Sequence, residues 1–249
     1  MKIAVIGCGW LGLPLAQKLV QEGHSVYGST TNSEKLQILA DSDILPFIYS
    51  DQKNKILPNW SKELEVIIIN FPPSKSADYS QQIDHLVNQL SPSCKLIFTS
   101  STSVYVDIEG NVDENSLLNN SHPVTRAEEI IKNSANPSII LRLAGLIGGD
   151  RHPVKFMSGK KYPDGNMSVN LVQRTDVLNA ILKVLSSNSW NSIYNVCWGA
   201  HPSKAEYYCK KAKEFSVQEP DFTFSDKKGK IVDGTKIATE LDFQYSFSI

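Results

Sequence analysis

The chain has 249 residues, of which 41% are hydrophobic and 20% charged. Surface scaling lets a chain of this size bury about 70% of its extended surface, enough for one sizeable core and less than two full domains usually take. Its 25 basic and 26 acidic residues leave a net charge of −1, which lacks the basic excess of a nucleic-acid binder and the acidic excess of a disordered tail. The four cysteines, Cys8, Cys94, Cys197 and Cys209, form no Cys-x-x-Cys and are too sparse for a disulfide framework. Reduced thiols and a cytoplasmic location are therefore expected. Glycines and a proline interrupt the apolar N-terminus, so it does not read as a signal peptide. No run of 18 apolar residues occurs, and no membrane association is expected.

In chain order, residues 2–6 (KIAVI) form a short branched apolar run, which predicts a buried strand. Residues 11–21 carry Leu11, Leu15, Leu19 and Val20 at helical spacing, with Pro14 tolerable in the first turn and Gly23 as a stop. His24–Ser29 predicts the second strand. Thr31 to Ala40 predicts a helix opened by a Thr31-x-x-Glu34 capping box. Residues 44–49 and 66–71 predict strands three and four, the latter ended by Pro72-Pro73. A helix over 79–90 has Ile83, Leu86, Val87 and Leu90 on one face. Further strands are expected at 95–99, 138–143 and 192–197, and helices at 127–133, 174–186 and 203–215.

Apolar strands alternating with helices predict an α/β fold, a doubly wound and mostly parallel sheet covered on both faces. Residues 1–249 read as a single Rossmann-type domain. Its core takes about 1–147 and 168–198. The polar stretches at about 148–167 and 199–249 form a small C-terminal substrate lobe.

Gly7-Cys8-Gly9-Trp10-Leu11-Gly12 is G-x-G-x-x-G, placed directly after a strand and opening a helix. The first glycine permits the tight turn, the second lets backbone approach a pyrophosphate, and the third lets the helix pack close to the strand. Cofactor contacts are expected from Gly7, Gly9, Trp10, Leu11 and Gly12. A carboxylate at the end of strand two would select NAD through the ribose 2′-OH. That place reads Thr30-Thr31-Asn32, with no carboxylate before Glu34 and with Lys35 close by. This favours NADP over NAD. Asn70, Phe71 and Pro72 end strand four, beside the cofactor ribose in a doubly wound sheet.

GCGWLG at the N-terminus, TSSTSVY at 99–105 and LRLAGLIGG at 141–149 together resemble the extended short-chain dehydrogenase/reductase family. The similarity is closest to its small YeeZ-like branch of NAD(P)-dependent epimerase/dehydratase-like proteins, and it runs on through Asn195 in IYNV and the GKIVDGTKI segment. The resemblance implies that Ser101, with Thr102 beside it, hydrogen-bonds the substrate's reacting oxygen, and that Asp51 contacts the adenine. It also implies a Tyr-x-x-x-Lys pair about 20 residues after Ser101. That pair is missing: no Tyr occurs between Val106 and Leu141. Tyr49…Lys53 and Tyr207…Lys211 match the spacing in the wrong context. An unperturbed Tyr titrates near 10, so the chemistry needs a pKa-lowering partner or another acid/base.

Nearby residues that bear on the gap are Tyr105, otherwise a packing residue, His122, a proton donor or more often a solvated loop side chain, and Arg126, a fixed cation or more often a solvated helix-face side chain, which cannot serve as a base. Arg151 lies in a locally basic loop with His152, Lys155, Lys160 and Lys161, which suits an anionic substrate. Arg142 lies inside a strand and needs a partner if buried. No metal-ligand spacing appears among the five histidines. The sequence thus predicts an NADP-binding oxidoreductase or epimerase-like enzyme with an unusual acid/base, acting on a small polar or sugar-derived molecule and forming a homodimer. The alternative is an NADP(H) sensor without turnover.

Overall fold

The structure is a computed structural model that describes residues 1–50, 56–73, 78–246 and 249. The N-terminal part is built from β1 (Lys2–Ile6), α1 (Gly12–Gln21), β2 (Ser25–Thr30), α2 (Leu36–Ala40), β3 (Leu45–Ile48), β4 (Val66–Ile69), α3 (Tyr79–Val87) and β5 (Lys95–Ser101). There follow β6 (Gly110–Val112), α4 (Pro123–Asn133), β7 (Ser138–Leu143), β8 (Gly145–Ile147), α5 (Val154–Met157), β9 (Lys161–Tyr162), β10 (Leu171–Gln173) and α6 (Arg174–Leu185). The C-terminal part holds β11 (Ser192–Val196), α7 (Lys204–Glu214), β12 (Asp221–Phe222), β13 (Lys230–Val232) and α8 (Thr235–Leu241).

Seven strands form the central sheet in the order β11-β7-β5-β4-β1-β2-β3. The chain steps outward from β1 to β3, then crosses to β4 and steps the other way. This reversal is the doubly wound topology expected of alternating strands and helices. β1 runs parallel to β2 on one side and β4 on the other, so Ile3 lies opposite both Val26 and Val66. Ile3, Ala4, Val5, Ile67, Ile68 and Ile69 are fully buried, which explains their continuous apolar runs: a strand covered on both faces has no polar side. The crevice of such a sheet lies at the carboxyl ends of the strands where the order reverses, here β1 and β4.

The chain divides into two compact units. The first comprises Met1–Val104, Asn119–Leu141 and Val184–Ile193. The second comprises Tyr105–Leu118, Arg142–Lys183 and Tyr194–Ile249. In the second unit, three two-stranded parallel ribbons pair β8 with β10, β9 with β12, and β6 with β13. The sequence reading placed no strand at any of these six positions. Strands of two or three residues carry no measurable period, and their partners are distant in sequence.

Several local expectations are corrected. No helix is capped by Thr31: Asn32 accepts the Glu34 N–H at 2.9 Å and opens a 3₁₀ turn over Ser33–Lys35, before α2 begins at Leu36. Asparagine ranks above threonine as a cap, and a 3₁₀ turn is a common first turn of an α-helix. α4 begins at Pro123, earlier than the expected 127, because His122 serves as its cap and proline suits the first position.

The second unit buries a connected polar cluster. Arg142 is 1% exposed. It donates to the Tyr105 hydroxyl and the Glu114 carbonyl, each at 3.1 Å. Tyr105 donates to Asn195 Oδ1 at 2.6 Å, and the Asn195 backbone N–H donates to the Glu114 carboxylate at 2.7 Å. The partner that a buried arginine requires is thus supplied from loops and strands far apart in the chain.

His152 was expected in a solvated basic loop. It is buried instead, with Nε2 3.0 Å from the Tyr207 hydroxyl, and Nδ1 accepts the Val154 N–H. Tyr207, whose spacing to Lys211 imitates a catalytic pair, is occupied by this contact and by packing in α7. Burial, helped by the charges of Lys211 and Lys155 against that of Glu214, pushes the His152 imidazole down to about 4. The unfolded chain then binds a proton near 6.5 that the folded chain refuses until about 4. Stability is therefore present above about pH 6.5 and falls as the pH drops from about 6.5 to about 4. Urea unfolding between pH 4 and 7 is expected to show this slope in the parent and to lose part of it in His152→Gln. An unchanged slope in that variant would show that His152 does not carry the pH dependence.

Candidate functional site

The first unit presents a cleft at the carboxyl ends of β1 and β4. Gly7 adopts φ +102°, and a Cβ there would lie 2.5 Å from the Asn70 carbonyl. A Cβ at Gly12 would lie 2.1 Å from the Gly7 carbonyl. These two glycines are required by backbone sterics within the protein. Gly9 differs: a Cβ there meets nothing within 4 Å. The turn is held from below. The Gly7 N–H donates to Ser29 Oγ at 2.8 Å, Asn70 Nδ2 donates to the Gly7 carbonyl at 3.2 Å, and Thr99 Oγ1 donates to Asn70 Oδ1 at 3.1 Å. No side chain caps the first turn of α1. The N-terminus of a helix, unblocked by a side chain and beside a glycine facing open space, fits a diphosphate.

A cavity of about 650 Å³ extends from this turn. Gly7, Thr30, Thr31, Phe71 and Pro72 line it, together with Tyr49, Asp78, Gln81, Gln82 and His85. The latter five were not anticipated. Gln81, Gln82 and His85 put one side of α3 on the cleft, and Asp78 caps α3 by accepting the Ser80 and Gln81 N–H groups. The Ser80 hydroxyl holds the Asp78 carboxyl below its ordinary range, and the charge of Arg126 adds to this. Arg126 itself is exposed on α4 and does not line the cavity. Burial pushes the Tyr49 phenol up to about 12, so it remains a hydrogen-bond donor at neutral pH.

Leu11 is buried at the start of α1 and Trp10 is half-buried beside it. Asn32 is exposed and lies next to the cavity wall in sequence. Asp51 lies outside the described residues. At the end of β5, successive side chains alternate in direction. Ser100 points to α4 and donates to buried Glu128. Thr99 and Ser101 share the opposite face, and Thr99 bonds Asn70 of the cleft. Thr102 is buried at the start of a 3₁₀ turn over Thr102–Val104. Ser103 and His122, which cap geometry brings together with Ser101, complete this corner: Ser103 Oγ lies 2.9 Å from Ser101 Oγ and 3.4 Å from His122 Nε2.

Two expected substrate residues belong to the second unit. The Tyr105 hydroxyl is engaged with Arg142 and Asn195. Arg151 is exposed and lines a cavity of about 500 Å³ with Phe156, Ser168, Asn170, Lys204 and Tyr208. Among the described residues, no group of three or more His, Cys, Asp or Glu is placed to hold a metal ion. No helix among them is long and apolar enough to cross a membrane.

Residues 2–134 match the family of the NAD binding domain of 6-phosphogluconate dehydrogenase. Protein YeeZ of Escherichia coli (strain K12) is 35% identical over 263 aligned positions, which cover 99% of this chain and 96% of that protein. The chain belongs to the YeeZ family and carries an N-terminal NAD-binding domain. Among solved structures, UDP-glucuronic acid 4-epimerase from Bacillus cereus in complex with NAD has a TM-score of 0.78 at 20% identity, covering 100% of this chain and 93% of that one. A functionally unknown conserved protein from Silicibacter pomeroyi has a TM-score of 0.80 at 18% identity, covering 99% and 94%. At these identities the likeness is one of fold. It agrees with the parallel sheet and the glycine turn, so this YeeZ-family chain has the architecture of NAD-dependent epimerases.

Proposed function

We propose that this protein is an NADP(H)-dependent oxidoreductase or epimerase-like enzyme of the short-chain dehydrogenase/reductase type, acting on a small polar or sugar-derived carbonyl or alcohol. The observation that carries the reading is the position of Ser101: it stands at the carboxyl end of β5, on the face that Thr99 shares with the dinucleotide turn.

In this reading Gly7–Gly12 hold the diphosphate through backbone N–H groups, and Gly9 supplies the room for its approach. Thr30, Thr31, Asn32 and Lys35 surround the adenosine ribose with hydroxyl, amide and ammonium groups. Glu34, the first carboxylate after the second strand, accepts from Asn32 Nδ2 at 3.3 Å. A site without a carboxylate aimed at the 2′-OH accommodates a 2′-phosphate. Asn70, Phe71 and Pro72 flank the nicotinamide half. The bound cofactor supplies or accepts hydride at nicotinamide C4. Ser101 Oγ–H donates to the substrate oxygen and stabilises the negative charge that develops there, while water or another group of the site exchanges the proton that balances the hydride. Arg126 contributes a fixed positive charge near the cleft. In the second unit, Arg151 and Lys204 suit an anionic group, and Tyr208 and Phe156 suit a flat or apolar one.

Titration calorimetry is expected to give tighter binding of NADP⁺ than of NAD⁺; equal or tighter NAD⁺ binding would refute the 2′-phosphate assignment. NADPH oxidation against a panel of aldehydes, ketones and nucleotide sugars tests the activity. Ser101→Ala is expected to lower turnover by about 100-fold or more. Tight NADPH binding with no turnover across the panel would establish a sensor instead, the role favoured by the missing Tyr-x-x-x-Lys.

A further inference from the structure

The corner that holds Ser101 contains an ordered chain of donors. The Ser103 backbone N–H donates to Ser101 Oγ at 3.1 Å, and Ser103 Oγ–H donates to the same oxygen at 2.9 Å. Ser101 Oγ therefore accepts twice, which occupies both of its lone pairs and leaves its own O–H to donate elsewhere. Ser103 Oγ in turn lies 3.4 Å from His122 Nε2. The direction of that contact is decided at the other side of the ring. His122 Nδ1 accepts the Val124 N–H at 3.3 Å as the cap of α4. A ring nitrogen that accepts carries no proton, so the neutral ring bears its proton on Nε2 and donates to Ser103.

Helix position reinforces this state. A second ring proton would face the Val124 N–H, and a cationic ring would sit at the positive end of α4. Every donor in the series thus points the same way: His122 Nε2–H to Ser103, Ser103 O–H to Ser101, and Ser101 O–H outward. Hydroxyls that accept become stronger donors, so the series raises the donor strength of Ser101.

We propose that Ser103 and His122 are positioning residues that make Ser101 a one-way hydrogen-bond donor to the substrate oxygen. The proposal rests on the enzyme reading above. It requires no change in the protonation of His122 and no covalent step; the series acts by stabilising charge on the oxygen that Ser101 meets. The sequence named His122 beside the gap as a possible proton donor and did not name Ser103, since the adjacency of the two exists only in the folded chain.

The deciding experiment needs no substrate. Long-range ¹H–¹⁵N correlation spectra of the full ¹⁵N-labelled chain read the tautomer of each histidine at neutral pH. The His122 signals are those absent from His122→Asn, a variant whose side chain still accepts the Val124 N–H and keeps α4 capped. The Nε2–H tautomer is expected, with the Nε2 resonance displaced in Ser103→Ala. An Nδ1–H tautomer, a cationic ring, or an Nε2 resonance indifferent to Ser103→Ala would overturn the proposal. In the carbonyl panel, both variants are expected to lower kcat by about 10-fold with KM within about twofold of the parent. If the parent turns over nothing on the panel, the enzyme reading fails, while the spectra still decide whether the donor series exists.

Discussion

Gly9→Ala is expected to weaken NADP⁺ binding by about 10- to 100-fold while shifting the melting temperature by no more than about 2 °C. The two halves of this expectation have separate causes. A methyl group at Gly9 meets nothing of the protein within 4 Å, so the fold has no reason to respond. It does occupy the space through which a diphosphate reaches the first N–H groups of α1. Losing a charge-assisted hydrogen bond costs about 1.5–3 kcal/mol, which is the factor stated. Gly12→Ala provides the contrast. Its Cβ would stand 2.1 Å from the Gly7 carbonyl, so the turn itself must move and both stability and binding are lost together. Calorimetry with NADP⁺ and a thermal melt on the two variants separate the effects. Parental NADP⁺ affinity in Gly9→Ala would remove the diphosphate from this turn.

The second large effect concerns the buried cluster of the second unit. Arg142→Met is expected to lower stability by about 3 kcal/mol, read as a melting temperature about 6–12 °C lower. The substitution keeps much of the side chain's bulk, so packing loss is small. It leaves the Glu114 carbonyl without the arginine's N–H and removes one of the two partners of the Tyr105 hydroxyl. It also takes a cation from the Tyr105 ring, whose centroid lies 5.1 Å from the guanidinium carbon. Tyr105→Phe is expected to cost about 1–2 kcal/mol, since it strands Asn195 Oδ1 but retains the charge and the ring. Urea denaturation of the parent and both variants reads the order directly. A parental midpoint for Arg142→Met would show that the cluster contributes nothing net to the fold.

The legible parts of this protein are those in which local pattern and physical role coincide. The continuous apolar runs at 2–6 and 66–69 could only be strands covered on both faces, and G-x-G-x-x-G between a strand and a helix has few other uses. The doubly wound sheet and the dinucleotide turn follow from these segments. Thr31 shows where the reading falters: a capping box was present in the letters, and the neighbouring Asn32 took the cap.

Chemistry at the site followed the same division. Sequence alone determined that a dinucleotide fold is present, that no carboxylate follows the second strand before Glu34, and that the expected Tyr and Lys are missing. Those are statements about residue type at a fixed offset, and short-range steric and charge rules suffice for them. Only the tertiary structure decided which glycine faces open space, that α3 lends Asp78 and His85 to the cleft wall, and that Arg142 is satisfied by Tyr105 and Glu114. It also decided that His122, set 19 residues beyond Ser103, is a helix cap with one nitrogen turned to that serine. Such contacts depend on how strands and loops distant in sequence are brought together, and a single chain read in order carries no signal of that distance.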